Sequence, residues 1–170
     1  MEKKRILIPI IVFILLVSIG FAANVIVVKL DENNPISLYN LGTLKYYSGQ
    51  KEEAVSFMKK ALELNPNYDK AYYSLGLIYF KDSSYEEAIK NLEKANEINS
   101  ENSNYNFDLA ISYVELFRKK ESENSLALND LDLLRKAVSH YEKTVALDEN
   151  FENAKSNLEI VKNVLEGYES

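Results

Sequence analysis

The chain has 170 residues, of which 46% are hydrophobic and 27% are charged, a balance typical of a folded rather than a disordered protein. It contains no cysteine, which excludes disulfides, thiolate metal sites and lipid-modified cysteines. The net charge of −6 divides into +2 over residues 1–28 and −8 over the remainder. The acidic remainder argues against binding to nucleic-acid backbones or to anionic lipid surfaces.

The N-terminal segment has the pattern of a membrane anchor. Residues 1–5 are basic, and residues 6–28 then run for 23 positions without a charge. A helix of that length spans about 34 Å, enough to cross a hydrocarbon core of about 30 Å. Because the basic residues precede the span, the N-terminus is predicted to be cytoplasmic and the rest of the chain extracytoplasmic or periplasmic. Residues 29–34 form a short linker that extends at most about 20 Å.

A cleaved signal peptide is the alternative interpretation of this segment. Gly20 and Ala22 are small residues at the two positions that a signal peptidase recognises. The apolar run continues past them to Val28, whereas a secretory core has roughly 7–15 residues. The longer run favours the anchor, and a mature start at Ala23 would instead give a secreted, soluble protein.

The rest of the chain repeats itself with a period of 34 residues. Gly42, Gly76 and Ala110 are spaced by 34, and so are Ala54 and Ala88. A fixed period of this length is typical of stacked helical hairpins, each of which needs its neighbours to cover its apolar face. The pattern therefore predicts an all-α array over residues 35–168.

The middle copy, residues 68–100, carries the pattern most completely. Large residues that share one helical face alternate with small residues that let two helices approach closely. These positions are Tyr72, Leu75, Gly76, Tyr79, Ala88, Leu92 and Ala95. Their spacing resembles the tetratricopeptide repeat, a family of antiparallel helical hairpins. The resemblance implies a solenoid of about three repeats and a C-terminal capping helix, preceded by the one transmembrane helix.

The other copies depart from the middle one at definite places. In the first copy Lys45 stands where an aromatic is expected, and we expect the adjacent Tyr46 and Tyr47 to cover that position. In the third copy, Asn106 replaces the first large residue. Ala110 and Ala137 lie 27 residues apart, against 12 for the equivalent pairs, so this copy carries 15 extra residues.

Helix boundaries follow from the repeat. The predicted helices cover residues 35–48, 51–64, 69–82, 85–98, 103–120, 126–147 and 151–168. We predict that Ser84 and Glu87 form a capping box at the start of the fourth helix. The extra residues, around 114–134, are predicted to lengthen both helices of the third hairpin by about two turns each, as an arm that projects past the stack. Leu116, Phe117, Leu126, Leu128 and Leu131 would close this arm; a flexible loop is the alternative.

Nothing in the sequence has the pattern of a catalytic, metal or cofactor site. His140 is the only histidine and is expected on a helix surface. The paired acids Glu52–Glu53 and Glu86–Glu87 recur at one repeat position, where they favour a helix N-terminus through its dipole. No phosphate-binding glycine loop and no nucleophile elbow occurs. The chain is therefore expected to be no enzyme and to need no cofactor.

The resemblance to tetratricopeptide repeats implies a binding surface on the first helix of each hairpin. Carried over position by position, seven aliphatic or aromatic side chains would line one groove: Tyr39, Tyr46, Tyr73, Leu77, Phe80, Phe107 and Ile111. Such an apolar, aromatic groove suits an amphipathic helix or an extended peptide. Tyr39, Thr43 and Tyr73 occupy places where some family members bind a C-terminal carboxylate through lysine, asparagine and arginine.

These features predict a membrane-anchored adaptor or assembly factor that binds a protein or peptide and no nucleic acid. The alternative is a secreted, soluble peptide-binding module. The groove aromatics also allow two different roles: the side chains fill space inside the array, or they mediate self-association of the chain.

Overall fold

The computed structural model describes residues 33–170, which contain seven α-helices, one 3-10 turn and no β-strand. The predicted all-α class is confirmed for these residues, and within them no helix is long and apolar enough to cross a membrane. The basic N-terminus and the span predicted at residues 6–28 lie outside the described residues. The helices are α1 (Pro35–Tyr47), α2 (Lys51–Leu64), α3 (Asp69–Lys81), α4 (Tyr85–Ile98), α5 (Ser103–Ser122), α6 (Leu131–Leu147) and α7 (Glu152–Glu169), with the 3-10 turn at Leu128–Asp130 before α6.

The described residues belong to two compact units, divided after Leu64. In the first unit, α1 and α2 form one antiparallel hairpin. Asn34 caps α1, since its side chain accepts hydrogen bonds from the backbone N–H groups of Ile36 and Ser37. The hairpin closes tightly at Gly42, where an added Cβ would lie 3.0 Å from the carbonyl oxygen of Ala54.

The side chain of Lys45 makes its own contacts in the hairpin and leaves no gap for its neighbours to fill. Its ammonium forms an ion pair with Glu53 at 2.7 Å and a hydrogen bond with Gln50 at 3.1 Å. Tyr47 is 83% exposed and does not cover position 45, so that part of the expectation is wrong. A lysine is accommodated because its ammonium reaches polar partners at the start of α2.

The second unit, Asn65–Ser170, contains α3 to α7, each packed against the next along the chain. This order of contacts is that of a helical solenoid. Small and large side chains interlock between α3 and α4, where Leu75, Gly76, Ala88 and Leu92 are buried. A larger core joins α4 to α7; its members include Leu109, Tyr113, Leu116, Phe117, Leu134 and Tyr141.

All three hairpin turns use the same backbone geometry with different residues. The middle turn residue has a positive φ in each case: +78° at Gly49, +58° at Ser83 and +51° at Asn124. In each turn the following N–H bonds back to a carbonyl five residues earlier, as from Ser84 to Tyr79 at 3.0 Å. This left-handed C-terminal cap satisfies carbonyl groups at the helix end.

The predicted capping box at Ser84 does not form. Ser84 is the N-cap of α4, but its side chain makes no capping hydrogen bond. In a capping box, the N–H of the N-cap residue bonds to the glutamate side chain. Here that N–H is already donated to Tyr79, so the backbone of the turn replaces the side-chain cap.

The 15 extra residues of the third hairpin are distributed unequally. Helix α5 has 20 residues, against 13 in α3, whereas α6 has 17, against 14 in α4. Helix α6, the second helix of this hairpin, starts at Leu131 rather than at the predicted position 126. The reason is Asp130, whose carboxylate accepts hydrogen bonds from the N–H of Ala127 at 2.7 Å and from Lys120 at 2.8 Å. These bonds hold the residues before α6 in a 3-10 turn.

The extended end of this hairpin is covered on one side by α7. The ring of Tyr168 packs edge-on against Phe117 at 5.5 Å, and its hydroxyl donates to Glu121. Arg135 on α6 contacts Glu169 at 2.6 Å. Leu116 and Phe117 are buried, and Leu126 and Leu131 pack against the core.

Helix α7 has charged side chains on one of its faces. Counted from the start of the repeat, its Lys155, Glu159 and Lys162 occupy the places of Tyr72, Gly76 and Tyr79. All three are exposed. The face of α7 that corresponds to the packed face of α3 is thus charged.

Candidate functional site

In the first unit, the two predicted groove residues, Tyr39 and Tyr46, lie on α1 and are half-buried. Thr43 on the next turn donates its hydroxyl to the carbonyl of Tyr39 at 3.0 Å. The ring of Tyr46 lies 6.1 Å from that of Tyr47, in an edge-on arrangement. The two predicted residues are thus separated by two turns of one helix.

In the second unit, Tyr73 joins α3 to α5. Its hydroxyl donates a hydrogen bond of 2.5 Å to Asp108 Oδ2, and its ring lies 4.5 Å from that of Tyr105. Burial, followed by the bond to Asp108, raises the pKa of the Tyr73 phenol. Burial also raises the pKa of the Asp108 carboxyl, against the opposing effect of the Tyr73 hydrogen bond. Tyr73 is therefore held by its neighbours, with its ring half-buried.

Phe107, on α5, packs against α6 and against the residue that precedes α7. Its ring centroid is 4.6 Å from Phe151 and 5.8 Å from Tyr141. These tilted aromatic contacts anchor α7 against the preceding hairpin. Phe107 therefore contributes to packing between helices.

The remaining predicted residues have different surroundings. Phe80 packs against Tyr85 across the α3–α4 turn at 5.5 Å, and Leu77 is half-buried on α3. Ile111, on α5, lines an open cleft. The described structure thus places Tyr73 and Phe107 in helix contacts and Ile111 on an accessible surface.

That cleft belongs to a groove between α5 and α7. Two adjoining parts, of about 140 and 190 Å³, share the side chains of Val114, Arg118, Ile160 and Val161. We call the surface formed by these four residues together with Ile111 and Val164 the α5–α7 groove. Ile160 is 54% exposed and Val164 is 41% exposed.

Ile160 and Val164 were not among the predicted groove residues, although the repeat contains a signal for Ile160. Ile160 follows Leu77 by 83 residues and Ile111 by 49, which is one period plus the 15-residue insertion. It therefore occupies the same repeat position on α7 that those residues occupy on α3 and α5. Extending the position-by-position comparison to the terminal helix would have found it.

The groove combines apolar walls with a few polar groups. Arg118 forms an ion pair with Glu115 at 3.0 Å and remains largely exposed. The hydroxyl of Tyr141 accepts a hydrogen bond from Asn157 at 3.3 Å, and burial raises the pKa of Tyr141 to about 12. Apolar walls with sparse polar groups are typical of a surface that binds by burying side chains.

His140 is half-buried rather than on the helix surface, so that expectation is wrong. Its Nδ1 lies 3.1 Å from Asn106 Oδ1, and its ring stacks on Tyr113. The amide of Asn106 also donates to the carbonyls of Ser100 and Asn102. The polar pair replaces the large residue that the repeat would place at position 106. Burial lowers the pKa of His140.

Within residues 33–170, no group of three or more histidine, aspartate or glutamate side chains is arranged to hold a metal ion. Glu86 and Glu87 lie in the first turn of α4, and Glu52 and Glu53 in that of α2. Both pairs sit where a helix dipole favours negative charge.

Comparison with family models identifies the repeat. Residues 42–83 match a model described as TPR repeat, and residues 69–102 match one described as tetratricopeptide repeat. Together these matches cover residues 42–102 and identify tetratricopeptide repeats in that part of the chain, as the spacing predicted. No curated protein matches the chain in a sequence search.

Solved structures share the fold. The first TPR of Spaghetti (RPAP3), bound to the HSP90 peptide SRMEEVD, is 17% identical, with a TM-score of 0.64 over 79% of this chain and 95% of that one. A crystal structure of MamA is 26% identical, with a TM-score of 0.63 over 81% and 71% of the two chains. The TPR domain of Arabidopsis OM64 is 17% identical, with a TM-score of 0.61 over 76% and 94%.

Proposed function

We propose that this chain, whose residues 42–102 match tetratricopeptide-repeat models, is a non-enzymatic adaptor that binds a peptide or helix of a protein partner in the α5–α7 groove. The observation that carries the proposal is the open apolar surface between α5 and α7. Its members include Ile160 and Val164, which are 54% and 41% exposed. Covering such a surface stabilises a complex by roughly 25 cal/mol per Å² of apolar area removed from water.

A structural neighbour supports this kind of ligand. The similar repeat domain of Spaghetti (RPAP3) was solved with a seven-residue peptide bound. A groove with apolar walls binds a partner helix through side chains spaced by three or four residues, or an extended peptide through alternate side chains. Either ligand would bury the exposed aliphatic side chains on α7.

The groove is tested by a double substitution, Ile160→Ser with Val164→Ser, in the full chain. Cross-linking in native membranes with mass spectrometry would identify the partners of the wild type and of the variant. We expect the variant to lose them while keeping its melting temperature within a few degrees. Ile98→Ser is the matched control, since Ile98 is 39% exposed on α4 and does not line the groove.

Two outcomes would contradict the proposal. Equal recovery of partners by the double variant and the wild type would exclude the groove. A change from dimer to monomer in the double variant, measured by sedimentation, would assign the surface to self-association instead.

We further propose that residues 6–28 anchor the repeats at a membrane. The basis is the uncharged run of 23 residues after a basic N-terminus. Carbonate extraction should leave the chain in the membrane pellet, and the mature protein should retain Met1. A mature N-terminus at Ala23 would support the secreted alternative.

A further inference from the structure

The carboxylate of Asp108 is only partly satisfied by the protein. Its Oδ2 accepts the hydrogen bond from Tyr73 at 2.5 Å. Among residues 33–170, Asn96 Oδ1 is the sole side-chain oxygen or nitrogen that is buried without a hydrogen-bond partner. Because Asp108 Oδ1 has no partner among these residues and is not such a buried atom, it reaches solvent. A half-buried carboxylate therefore keeps one oxygen free to accept a hydrogen bond.

No cation of the described chain neutralises this carboxylate. The pKa of the Asp108 carboxyl is influenced by burial and by the Tyr73 hydroxyl, and by no lysine or arginine. Lys70 lies one turn before Tyr73 on α3, but it is exposed and forms no ion pair with Asp108. A partly desolvated carboxylate without a counter-charge gains more from a ligand cation than a fully hydrated one does.

The surroundings of Asp108 also suit a cation. The half-buried ring of Tyr73 lies next to it, and aromatic faces attract ammonium and guanidinium groups. Residues 65–170 contain 20 acidic and 12 basic side chains, a net charge of −8. The field of the whole unit therefore attracts a positively charged ligand.

Asp108 is continuous with the α5–α7 groove. It precedes Ile111 by three residues on α5, so the two side chains lie on the same helix face, about 4.5 Å apart along the axis. Its charge also raises the pKa of Tyr141, whose side chain lines the groove beside Ile111. One ligand can therefore contact the carboxylate and the apolar walls together.

We propose that the ligand of this groove presents a lysine or arginine side chain that binds the Asp108 carboxylate, next to apolar side chains that enter the α5–α7 groove. This inference rests on the proposed function and specifies the chemistry of the partner. It sets this chain apart from the similar domain bound to SRMEEVD, a peptide with three acidic residues among its last four.

The test begins with selection of a random nine-residue peptide library on the full-length chain in detergent micelles. Lysine or arginine flanked by aliphatic residues should be enriched on the wild type and not on Asp108→Asn. Asparagine is the sharpest substitution because it removes the charge and keeps an acceptor for Tyr73. Glu149→Gln is the matched control, since it removes one exposed charge elsewhere in the same unit.

Affinities of one enriched peptide then give a double-mutant cycle. Replacing its arginine by uncharged citrulline should weaken binding to the wild type by about tenfold or more, as for loss of a charged hydrogen bond. The same replacement should have little further effect on Asp108→Asn, whereas Glu149→Gln should behave as the wild type does.

Three results would overturn the inference. The first is independent, additive effects of citrulline and Asp108→Asn. The second is binding of SRMEEVD as tight as that of the basic peptide. The third is enrichment of peptides that lack basic residues; if those peptides still require Ile160 and Val164, the proposed function stands without the cation site. Absence of any enriched peptide would reject the groove itself.

Discussion

Gly76 on α3 lies directly against Leu92 on α4, so that a Cβ at position 76 would be 2.6 Å from Leu92 Cγ. Both residues are buried. The two helices approach this closely only because position 76 lacks a side chain. The third hairpin has Ala110 at the same repeat position, fully buried, so the requirement depends on the residue opposite rather than on the repeat alone.

The first prediction is that Gly76→Ala destabilises the protein. Overpacking costs about 1–3 kcal/mol, and the better helix propensity of alanine returns up to about 1 kcal/mol. We expect a net loss of about 1–2 kcal/mol in urea unfolding followed by circular dichroism. Gly167→Ala is the control, because no atom lies within 4 Å of its added Cβ; it should be neutral or stabilising by about 0.5 kcal/mol. Equal effects of the two substitutions would contradict the close approach.

The second prediction concerns the left-handed turn residues. Ser83 has φ +58°, which costs a residue with a Cβ about 1–2 kcal/mol, whereas glycine adopts it freely. Ser83→Gly should stabilise by about 0.5–1 kcal/mol after allowing for the entropy of glycine in the unfolded chain. The reverse change, Gly49→Ala at φ +78°, should destabilise by about 1 kcal/mol. Thermal unfolding of both variants checks the pair, and a shift of the same sign in both would refute it.

Helix positions followed from the sequence because the repeat period carries information from one hairpin to the next. The starts and ends of α1 to α5 agree with expectation within two residues. The period carries no information where the copies diverge. The start of α6 depends on Asp130 reaching Lys120 and the Ala127 amide, contacts that belong to the insertion alone.

In the α5–α7 groove, too, some features follow from the repeat pattern, whereas others depend on individual contacts. Repeat spacing placed Ile111 on an accessible face, and continued spacing would have placed Ile160 there too. It could not reveal that Tyr73 bonds Asp108, because that contact depends on the distance between α3 and α5 in the folded unit. Periodicity assigns a residue to a face, whereas tertiary packing decides whether that face is open.

The third prediction is that restoring a large apolar residue at position 106 destabilises the protein. The buried amide of Asn106 donates to the carbonyl of Ser100 at 2.9 Å and lies 3.1 Å from His140 Nδ1. Asn106→Leu leaves these groups without partners, at a cost of about 2–4 kcal/mol in urea unfolding. Asn104→Leu, at an exposed position of the same helix, should stay within about 0.5 kcal/mol. A stabilised Asn106→Leu variant would mean that the polar pair contributes nothing.

The fourth prediction is a loss of stability on acidification caused by His140. Burial lowers its pKa in the folded state; Glu93 acts in the opposite direction, while Lys136 and Lys143 act with burial. The unfolded histidine binds a proton near pH 6.5, and the folded one only at lower pH. Stability should therefore fall as the pH drops through about 6.5 toward the lowered pKa, and level off below it.

The measurement for His140 is the melting temperature between pH 7.5 and 5, compared with His140→Gln. Glutamine keeps a hydrogen-bonding side chain but does not titrate, so the variant should have a shallower slope over this range. The absolute stability of the variant does not enter the comparison, because only the slopes are compared. Parallel slopes would exclude His140 as the source of the pH dependence.

The fifth prediction is that Asp130 holds the connection between α5 and α6. Its carboxylate bonds Lys120 and the Ala127 amide, and these bonds, with the Lys120 bond the larger influence, lower the pKa of Asp130. Asp130→Asn should weaken both contacts and increase hydrogen exchange at Ala127, with little change at Leu92 in the α3–α4 core. A carboxyl with a lowered pKa contributes stability above its unfolded pKa of about 3.9 and loses it as the pH falls through the folded pKa, so the wild type should approach the variant as the pH falls below about 3.9. Exchange at Ala127 that is equal in the two proteins at pH 7 would show that the connection is held by its apolar contacts alone.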